Sequence, residues 1–235
     1  MMQSLNSTGS HSTPAQHKWD EDLCNFAEQQ LYTAVVSDAM DQLGVRSQAM
    51  REYLRPVHGR KAFAGWARTI SCCDIHYIPE DPYKIEIEAV DSLLPGEVAV
   101  VGTHKSLRNA PWGELLSTAA KVRGARGAVV DGLVRDILKI EELGFPVFAS
   151  GIKPVDSMGR GIVTAYNVPV ECGDVLVNPG DFIFADYDGV VVIPKDVVGP
   201  VMELATDKVR RENSSRSELM QGAYLGDVFK KYGVL

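Results

Sequence analysis

The 235-residue sequence predicts a single mixed α/β domain. Short apolar runs of strand composition, such as VAVVG and AVVDG, alternate with longer segments whose apolar residues recur at helical spacing. Glycine, proline and aspartate separate these runs, and no internal repeat divides them. Hydrophobic residues make up 45% of the chain, which is sufficient for a sizeable core. We therefore expect mixed sheets with flanking helices.

The first half of the chain alternates between helical and strand patterns. Early acidic residues followed by helically spaced apolar residues predict a first helix over residues 19–30, and Gly44 closes a second over 33–43. Further helices are predicted over residues 79–92 and 109–123, and strands over 56–73 and 98–102.

The second half is richer in strand patterns. The run AVVDG at residues 128–132 predicts a short buried strand, and RDILKIEELG at 135–144 predicts a helix. A strand at 146–149 and a loop at 151–160 follow. The runs IVTAYNVPVE, VLVNPGDFIFAD and GVVVIP predict strands separated by turns, and the last 35 or so residues have a charged helical pattern.

Charge and composition exclude several classes of function. A formal net charge of -7 argues against a nucleic-acid binder, which usually carries a basic face. No apolar run approaches the roughly 18 residues of a membrane span, and the polar N-terminus lacks the apolar core of a secretory signal. Residues 1–18 are interpreted as a flexible leader, residues 19–235 as the domain, and the cytosol as the expected compartment.

Common catalytic and metal-binding motifs are missing from the sequence. Cys24, Cys72, Cys73 and Cys172 lack zinc-type spacing, so we interpret all four as structural. The chain contains no glycine-rich dinucleotide loop, no P-loop and no nucleophile elbow, and its five histidines are scattered. Dinucleotide, P-loop and serine-hydrolase chemistry therefore have no support.

The most informative segment is AVVDGLVRD at residues 128–136. The pattern predicts that an apolar strand delivers Asp131-Gly132 to a tight turn, with Arg135 and Asp136 where a helix begins. Ligand sites of open α/β sheets lie beyond such strand ends. Aspartate offers a hard oxygen ligand for Mg²⁺, and arginine can hold a carboxylate through two hydrogen bonds. A structural Arg–Asp pair that caps the helix is an equally good interpretation of these residues alone.

A second candidate is the segment NAPWGELL at residues 109–116. Gly113 followed by Glu114 at a helix start would leave backbone amides free for a carboxylate or phosphate, although ordinary capping is the commoner reason for such a pattern. Asp186 and Asp188 are typical of turn chemistry. Asp74 and His76 would share a strand face, and a solvated surface pair is the simpler interpretation.

Taken together, these segments resemble the RraA-like family, which includes the 4-hydroxy-4-methyl-2-oxoglutarate and 4-carboxy-4-hydroxy-2-oxoadipate aldolases. The likeness runs from about Tyr32 to Lys195. Besides GELL and VVDGLVRD, the motifs that carry it are SDAMDQLG, AGWARTI, PGEVAVV, FPVFASG, NVPVECGDVLVNPGD and ADYDGVVVIP. The resemblance implies a swivelling β/β/α fold assembled as a homotrimer or a hexamer, with sites at subunit interfaces.

The resemblance also implies roles for individual residues. Asp136 would bind Mg²⁺ or Mn²⁺, and Arg135 would contact the substrate. The backbone of residues 113–116 (Gly113, Glu114, Leu115 and Leu116) would hold the substrate carboxylate, while Glu114 would contact a water on the metal. Glu212 is the best candidate for a glutamate that a neighbouring subunit contributes.

The implied activity is a metal-dependent lyase of the class II pyruvate-aldolase type. Such an enzyme cleaves a 4-hydroxy-2-oxo acid to pyruvate and a second oxo acid, and decarboxylation of oxaloacetate is expected through the same enolate. Many family aldolases have a lysine in the stretch that here reads DSMGR, and Arg160 is the candidate replacement in substrate binding. Family members without the metal aspartate inhibit a ribonuclease instead, so a non-catalytic, protein-binding regulator is the alternative.

Overall fold

The computed structural model describes residues 14–234, and side chains from residue 21 onward. The described chain has ten strands, seven α-helices and one 3-10 turn. The strands are β1 (Arg55–Pro56), β2 (Phe63–Asp74), β3 (Glu97–Gly102), β4 (Gly127–Val134), β5 (Val147–Ile152), β6 (Gly161–Tyr166), β7 (Val170–Cys172), β8 (Val175–Val177), β9 (Phe182–Asp186) and β10 (Gly189–Ile193). The helices are α1 (Pro14–Gln30), α2 (Thr33–Gln42), α3 (Lys84–Asp91), α4 (Glu114–Val122), α5 (Ile137–Leu143), α6 (Val198–Met220) and α7 (Leu225–Tyr232), with the 3-10 turn at Lys195–Val197.

One mixed eight-stranded sheet organises these elements: seven strands follow the order β1-β5-β4-β3-β2-β9-β10, and the eighth, β6, pairs with β2 off this path. Strands β2, β3, β4 and β5 are parallel neighbours, and β1, β9 and β10 extend the sheet with antiparallel pairs. The long strand β2 pairs with β9 through its first residues and with β6 through its last. Strands β7 and β8 form a separate antiparallel pair. This arrangement is the predicted mixed α/β fold.

The parallel strands are buried on both faces, so their sequences are nearly continuous apolar runs. In β3, Ala99 and Val101 face the core that contains Trp112 and Ile140, under helices α3, α4 and α5. The alternate residues Val98 and Val100 face a second core, which includes the β7–β8 pair. The two-residue period of a strand thus divides one apolar run between two cores.

A third core joins helices from the two ends of the chain. Residues of α1, α2 and α6 pack against the sheet beside β9 and β10, where Phe182 and Phe184 are fully buried. The Trp66 and Phe182 rings meet edge to face, with 5.1 Å between their centroids. This packing explains why the charged C-terminal segment is helical, as its pattern predicted.

The structure corrects one local prediction at the centre of the sequence motif. Asp131 and Gly132 do not form a tight turn, because β4 continues through them to Val134, with a register shift between Val130 and Leu133. The buried Asp131 carboxylate accepts hydrogen bonds from the Tyr53 hydroxyl (2.9 Å) and the Gly173 amide (3.1 Å). Partners distant in sequence therefore allow a charged residue inside a strand.

Other differences concern the ends of elements. Helix α4 begins at Glu114 rather than at residue 109, and α1 begins at Pro14, ahead of the predicted start at residue 19. Residues 1–13 of the predicted leader lie outside the described residues. Within the described chain, Cys24, Cys72 and Cys172 are buried, and no helix combines the length and apolar character that a membrane span requires.

Candidate functional site

A cleft of about 430 Å³ lies beyond the carboxyl ends of the parallel strands, where ligand sites of α/β sheets are expected. Its walls come from helix α3, the segment that leads into α4, the end of β4, and the loop after β5. The lining residues are Tyr83, Glu86, Ile87, Ala110, Pro111, Trp112, Gly113, Glu114, Leu115, Leu116, Arg135, Asp136, Asp156 and Ser157. The structure thus brings Arg135, Asp136 and all of the predicted 113–116 segment into one site.

The segment before α4 is fixed against the end of β4. Trp112 forms an isolated parallel bridge with Val134, and its carbonyl accepts a hydrogen bond from the Arg135 amide at 3.0 Å. The buried Trp112 indole donates to the Ser117 hydroxyl at 2.9 Å, which locks the first turn of α4 beneath it. These contacts place Gly113 directly beside Asp136.

Asp136 has an unusual backbone conformation for an aspartate. It precedes α5 with φ of 61°, in the left-handed region that few residues other than glycine adopt. Its side chain makes no capping hydrogen bond to α5; instead Oδ2 accepts one long hydrogen bond from the Glu114 amide (3.4 Å). With 48% of its side chain exposed, the carboxylate is open to the cleft. The side chain therefore does not cap α5, which was the alternative interpretation of this residue, and its one hydrogen bond is to the first residue of α4.

The Arg135 guanidinium connects Asp136 to the opposite end of the site. Its Nε lies 3.7 Å from Asp136 Oδ2, and one terminal nitrogen contacts Asp156 Oδ1 at 3.0 Å. The Tyr83 hydroxyl donates to the other oxygen of Asp156 at 2.6 Å. A continuous series of polar contacts thus runs from Asp136 through Arg135 and Asp156 to α3.

This network shifts the acidities of its members in opposite directions. Burial opposes ionisation of Asp156, but hydrogen bonds from Tyr83 and the backbone, together with the Arg135 charge, outweigh it and hold the pKa of Asp156 below its usual value. The hydrogen bond to Asp156, with burial, raises the pKa of Tyr83 to about 12. Asp156 is therefore an anion at neutral pH, and Tyr83 a hydrogen-bond donor.

Glu86 is a residue of the site that the sequence did not reveal. It lies on α3 one turn beyond Tyr83, and within the described structure its carboxyl group makes no hydrogen bond or ion pair. Burial is the largest cause that raises the pKa of Glu86, to about 7; the negative charge of Asp156 adds to the rise and Arg135 opposes it. In sequence it is one of several acids in a weak helical pattern, so only its burial sets it apart.

The start of α4 supplies the other predicted contacts. The first intrahelical hydrogen bond runs from the Ser117 amide to the Gly113 carbonyl (3.1 Å), so the amides of Leu115 and Leu116 precede it, as in the first turn of any helix. The Glu114 carboxylate accepts a hydrogen bond from the Thr118 hydroxyl at 2.9 Å. Leu115, which is 77% exposed, adds an apolar wall to the cleft.

Two candidates are not brought into the cleft of this chain. The Arg160 guanidinium donates to the carbonyls of Asp156 and Met158 at 3.3 Å each, and Arg160 is not a lining residue. Glu212 lies on α6, with its carboxylate 3.8 Å from the Lys208 ammonium group. Because its predicted role is in a neighbouring copy, that role stays a prediction.

The polar residues that the sequence analysis assigned to turns or to the surface make structural contacts. Asp186 accepts hydrogen bonds from the amide and hydroxyl of Thr33, and from the Asp188 amide in the β9–β10 turn. Asp74 accepts a hydrogen bond from the Ser106 hydroxyl at 2.6 Å, and His76 lies beside the Arg108 guanidinium.

The donor set of the cleft suits a hydrated hard cation rather than a fully protein-ligated one. Among the described residues, no group of three or more His, Cys, Asp or Glu side chains is arranged to hold a metal ion. Mg²⁺ typically binds one or two carboxylates and keeps several waters. The exposed carboxylate of Asp136, in a cleft with room for waters, therefore fits Mg²⁺ or Mn²⁺.

Comparison with known proteins identifies the family of the chain. Residues 33–192 match the RraA-like family, described as Aldolase/RraA. An uncharacterised protein of Methanocaldococcus jannaschii is 42% identical over 130 residues, which span 55% of this chain and 61% of that protein. A Halalkalibacterium halodurans protein, provisionally named a 4-hydroxy-4-methyl-2-oxoglutarate aldolase, is 33% identical over 75% of this chain and 79% of its own length.

A solved structure supports the same relationship. RraAS2 of Streptomyces coelicolor, described as an unusual member of the RNase ES inhibitor RraA protein family, superimposes with a TM-score of 0.76. It is 29% identical, and the match covers 84% of this chain and 98% of that one.

Proposed function

Because the chain belongs to the RraA-like family, we propose that it is a divalent-metal-dependent carbon–carbon lyase that releases pyruvate from a 4-hydroxy-2-oxo acid. The observation that carries the proposal is the Asp136 carboxylate, which makes no capping hydrogen bond to α5 and faces a cleft beside Arg135 and the start of α4. Names of relatives at 32–38% identity point to the same class of reaction.

Each group that lines the cleft would have a separate role in the reaction. Asp136 would hold Mg²⁺ or Mn²⁺, which when bound supplies a Lewis acid for the negative charge that develops on the 2-oxo oxygen. The first-turn amides of α4, at Leu115 and Leu116, would bind the substrate carboxylate. Arg135 would add a charged donor at the developing oxyanion, an interaction worth roughly 3 kcal/mol where one such donor has been removed.

A proton must leave the 4-hydroxyl group as the carbon–carbon bond breaks. Glu114 lies at the start of α4, where the Thr118 hydroxyl orients its carboxylate. We propose that Glu114 takes up this proton through a water molecule. Loss of CO₂ from oxaloacetate gives the same pyruvate enolate, so the arrangement also supports oxaloacetate decarboxylation.

The described relationship with RraAS2 favours a second candidate, a regulator that binds a ribonuclease. That function requires no open carboxylate in the cleft. It predicts no turnover, and capture of a ribonuclease in a pull-down. The Asp136 carboxylate, which makes no hydrogen bond to α5 and lies beside Arg135 in the cleft, favours the lyase.

Pyruvate release separates these candidates. The protein would be incubated with 4-hydroxy-2-oxo acids and oxaloacetate, with Mg²⁺ or Mn²⁺ or with EDTA, and pyruvate would be measured by a coupled assay. We expect turnover that EDTA abolishes and that Asp136→Ala lowers at least about 100-fold. Glu141→Ala is the matched control, since Glu141 is an exposed acid on α5 that does not line the cleft. Unchanged turnover in Asp136→Ala would exclude Asp136 as the metal ligand.

The assembly is proposed as a homotrimer or a hexamer, in which Glu212 of the partner subunit reaches the cleft. Light scattering during size-exclusion chromatography measures the number of copies. Glu212→Gln should lower turnover without changing that number, whereas unchanged turnover would exclude the contribution.

A further inference from the structure

The proposed reaction adds a proton to carbon as well as removing one from oxygen. Cleavage of a 4-hydroxy-2-oxo acid, or loss of CO₂ from oxaloacetate, leaves the electron pair of the broken bond on C3, as the pyruvate enolate. C3 must gain a proton before the product is pyruvate. Glu114 is proposed to accept the hydroxyl proton, and the nearby Lys139 ammonium group suits its charged form. The acid that protonates C3 is a separate role.

Glu86 is a carboxyl group of the cleft that has no partner of its own. It lies on α3 and lines the same cleft as Arg135 and Asp136. Its carboxyl group makes no hydrogen bond or ion pair in the described structure, although Asp156 and Arg135 are near enough for their charges to act on it. Asp156, in contrast, is held by the Tyr83 hydroxyl and the Arg135 guanidinium. Of these two acids, Glu86 is therefore the one available to a bound substrate.

A second, smaller cavity lies on the other side of Glu86. The centre of a water molecule can occupy about 10 Å³ of it, which is room for about one water. Glu86, Pro111 and Ser157 line both this cavity and the cleft. Asn109 also lines the cavity; the residue is 4% exposed, and its side-chain amide makes no hydrogen bond to another described residue. A Cβ on Gly161 would lie 2.8 Å from Asn109 Nδ2, so glycine at that position makes room for the amide. Glu86 thus lies between the substrate cleft and a polar cavity.

We propose that Glu86 is the catalytic acid that protonates C3 of the pyruvate enolate. The inference rests on the proposed lyase function and deepens it by adding a catalytic residue. The O–H bond of the carboxyl group breaks, its proton forms the new C3–H bond with the electron pair left by the departing fragment, and Glu86 becomes a carboxylate. Water in the small cavity then returns a proton to Glu86. Asp74, whose side chain is 35% exposed, lines the same cavity and brings it close to solvent.

The surroundings of Glu86 and Asp156 favour different protonation states. Burial, followed by the negative charge of Asp156, raises the pKa of Glu86 to about 7, whereas the pKa of Asp156 is lowered. Two carboxyl groups whose pKa values are separated by their environments are typical of sites in which one of them acts as an acid. The charged or titratable groups around Glu86 are Tyr83, Cys72, Cys73, Asp74, Glu114, Arg135, Asp136 and Asp156, together with Glu212 of the partner subunit in the proposed assembly.

Exchange of the C3 protons of pyruvate for deuterium isolates this step, because it needs no carbon–carbon cleavage. Pyruvate would be incubated in D₂O with Mg²⁺ and the protein, and the loss of its methyl signal would be followed by proton NMR. In this exchange Glu86 first removes a C3 proton as a base and then returns deuterium as an acid. Glu86→Gln should lower the exchange rate at least about 100-fold. Glu88→Gln, an exposed change on the same helix, should exchange at the native rate.

Two further measurements distinguish the loss of an acid from damage to the site. The carbon–carbon bond of oxaloacetate breaks before C3 is protonated, so Glu86→Gln should slow CO₂ release by less than about tenfold, far less than it slows exchange. With saturating pyruvate, the native exchange rate should rise with pH and level off above about 7, because the Glu86 carboxylate is the base that removes the C3 proton.

The outcomes separate this inference from the function on which it rests. Exchange at the native rate in Glu86→Gln, or equal losses of exchange and of CO₂ release, would overturn the acid role and leave the lyase function standing. The same follows if the native protein releases pyruvate from its substrates but exchanges none of the C3 protons of pyruvate. Should Glu86→Gln not fold, the native pH profile decides: an exchange rate that is constant between about pH 5.5 and 8.5 contradicts the proposal. No exchange and no pyruvate from any substrate would overturn both.

Discussion

A Cβ atom on Gly113 would lie 2.8 Å from Oδ2 of Asp136, closer than real Cβ contacts come. The same atom would lie 3.1 Å from Cγ of Arg135. Only glycine therefore leaves room at this position for the two side chains that are proposed to carry the reaction, as they are placed in the structure. No other part of the cleft shows so direct a relation between a sequence choice and the geometry of the site.

Gly113→Ala should therefore impair activity more than stability. The added methyl group meets side-chain atoms of Arg135 and Asp136, which are 39% and 48% exposed. Because these side chains are able to move, the substitution should displace them rather than destabilise the fold. We expect turnover to fall at least about tenfold, because a displacement of about 1 Å at a reacting centre costs up to 100-fold, with little change in the melting temperature. Gly199→Ala, on α6 with no atom within 4 Å of its Cβ, is the control and should be neutral or slightly stabilising. Full turnover in Gly113→Ala would contradict the proposed geometry.

Arg135→Lys should abolish the bridge between Asp136 and Asp156. The guanidinium reaches both carboxylates through different nitrogens, and a single ammonium group cannot reproduce that geometry. We expect kcat/KM to fall about 100-fold or more, as for the loss of one oxyanion donor. Arg123→Lys, which keeps an exposed ion pair to Asp91 outside the cleft, is the matched control. Comparable kinetics for the two variants would remove Arg135 from the reaction.

Asp131→Ala should destabilise the fold without touching the cleft lining. The change leaves the Tyr53 hydroxyl and the Gly173 amide without their acceptor, and hydrogen bonds to a charged group are worth about 1.5–3 kcal/mol. The loss in unfolding free energy, measured by urea denaturation, should be in that range. Tyr53→Phe removes one of the two bonds and should cost less. Equal stability of Asp131→Ala and the native protein would contradict this role.

The elements that the sequence predicted are those whose signals are local. Helices α1 and α2, the strand of VAVVG and the helical C-terminal segment follow from residue periodicity and punctuation within short windows. Asp131 was misplaced in a turn because its partners, Tyr53 and Gly173, are 78 and 42 residues away. A strand that tolerates a charge for this reason cannot be recognised from its own residues.

The site was predicted in part for the same reason. Asp136 and Glu114 belong to short motifs that can be read along the chain, although only the structure excludes capping of α5 by the Asp136 side chain. Glu86 could not be recognised from the sequence as a site residue, because its environment is formed by the loop that carries Asp156 and by the end of β4, which are distant from α3 in sequence. The resemblance offered Arg160 as a substrate contact, and this stays a prediction; in the described chain its guanidinium donates to carbonyls two and four residues earlier.

The pH dependence of stability gives a test of Glu86 that needs no substrate. Burial, followed by the Asp156 charge, raises the pKa of Glu86 from 4.5 to about 7, so between these values the folded protein binds more protons than the unfolded chain. The stabilising contribution of this group is complete below pH 4.5 and is lost as the pH rises through 7. The pKa of Asp156 is lowered from 3.8 and therefore lies below the pH range from 4.5 to 7 over which Glu86 titrates.

The unfolding free energy of the native protein minus that of Glu86→Gln should therefore decrease from pH 5 to pH 8. Glutamine does not titrate, so the difference isolates the carboxyl group from all others that the two proteins share. Urea denaturation at several pH values measures it, and Glu88→Gln, an exposed change on the same helix, is the matched control. A constant difference for Glu86→Gln would mean that this carboxyl is as well solvated in the cleft as in the unfolded chain, and a difference that rises with pH would mean that the fold stabilises its charged form; either result contradicts the raised pKa of Glu86.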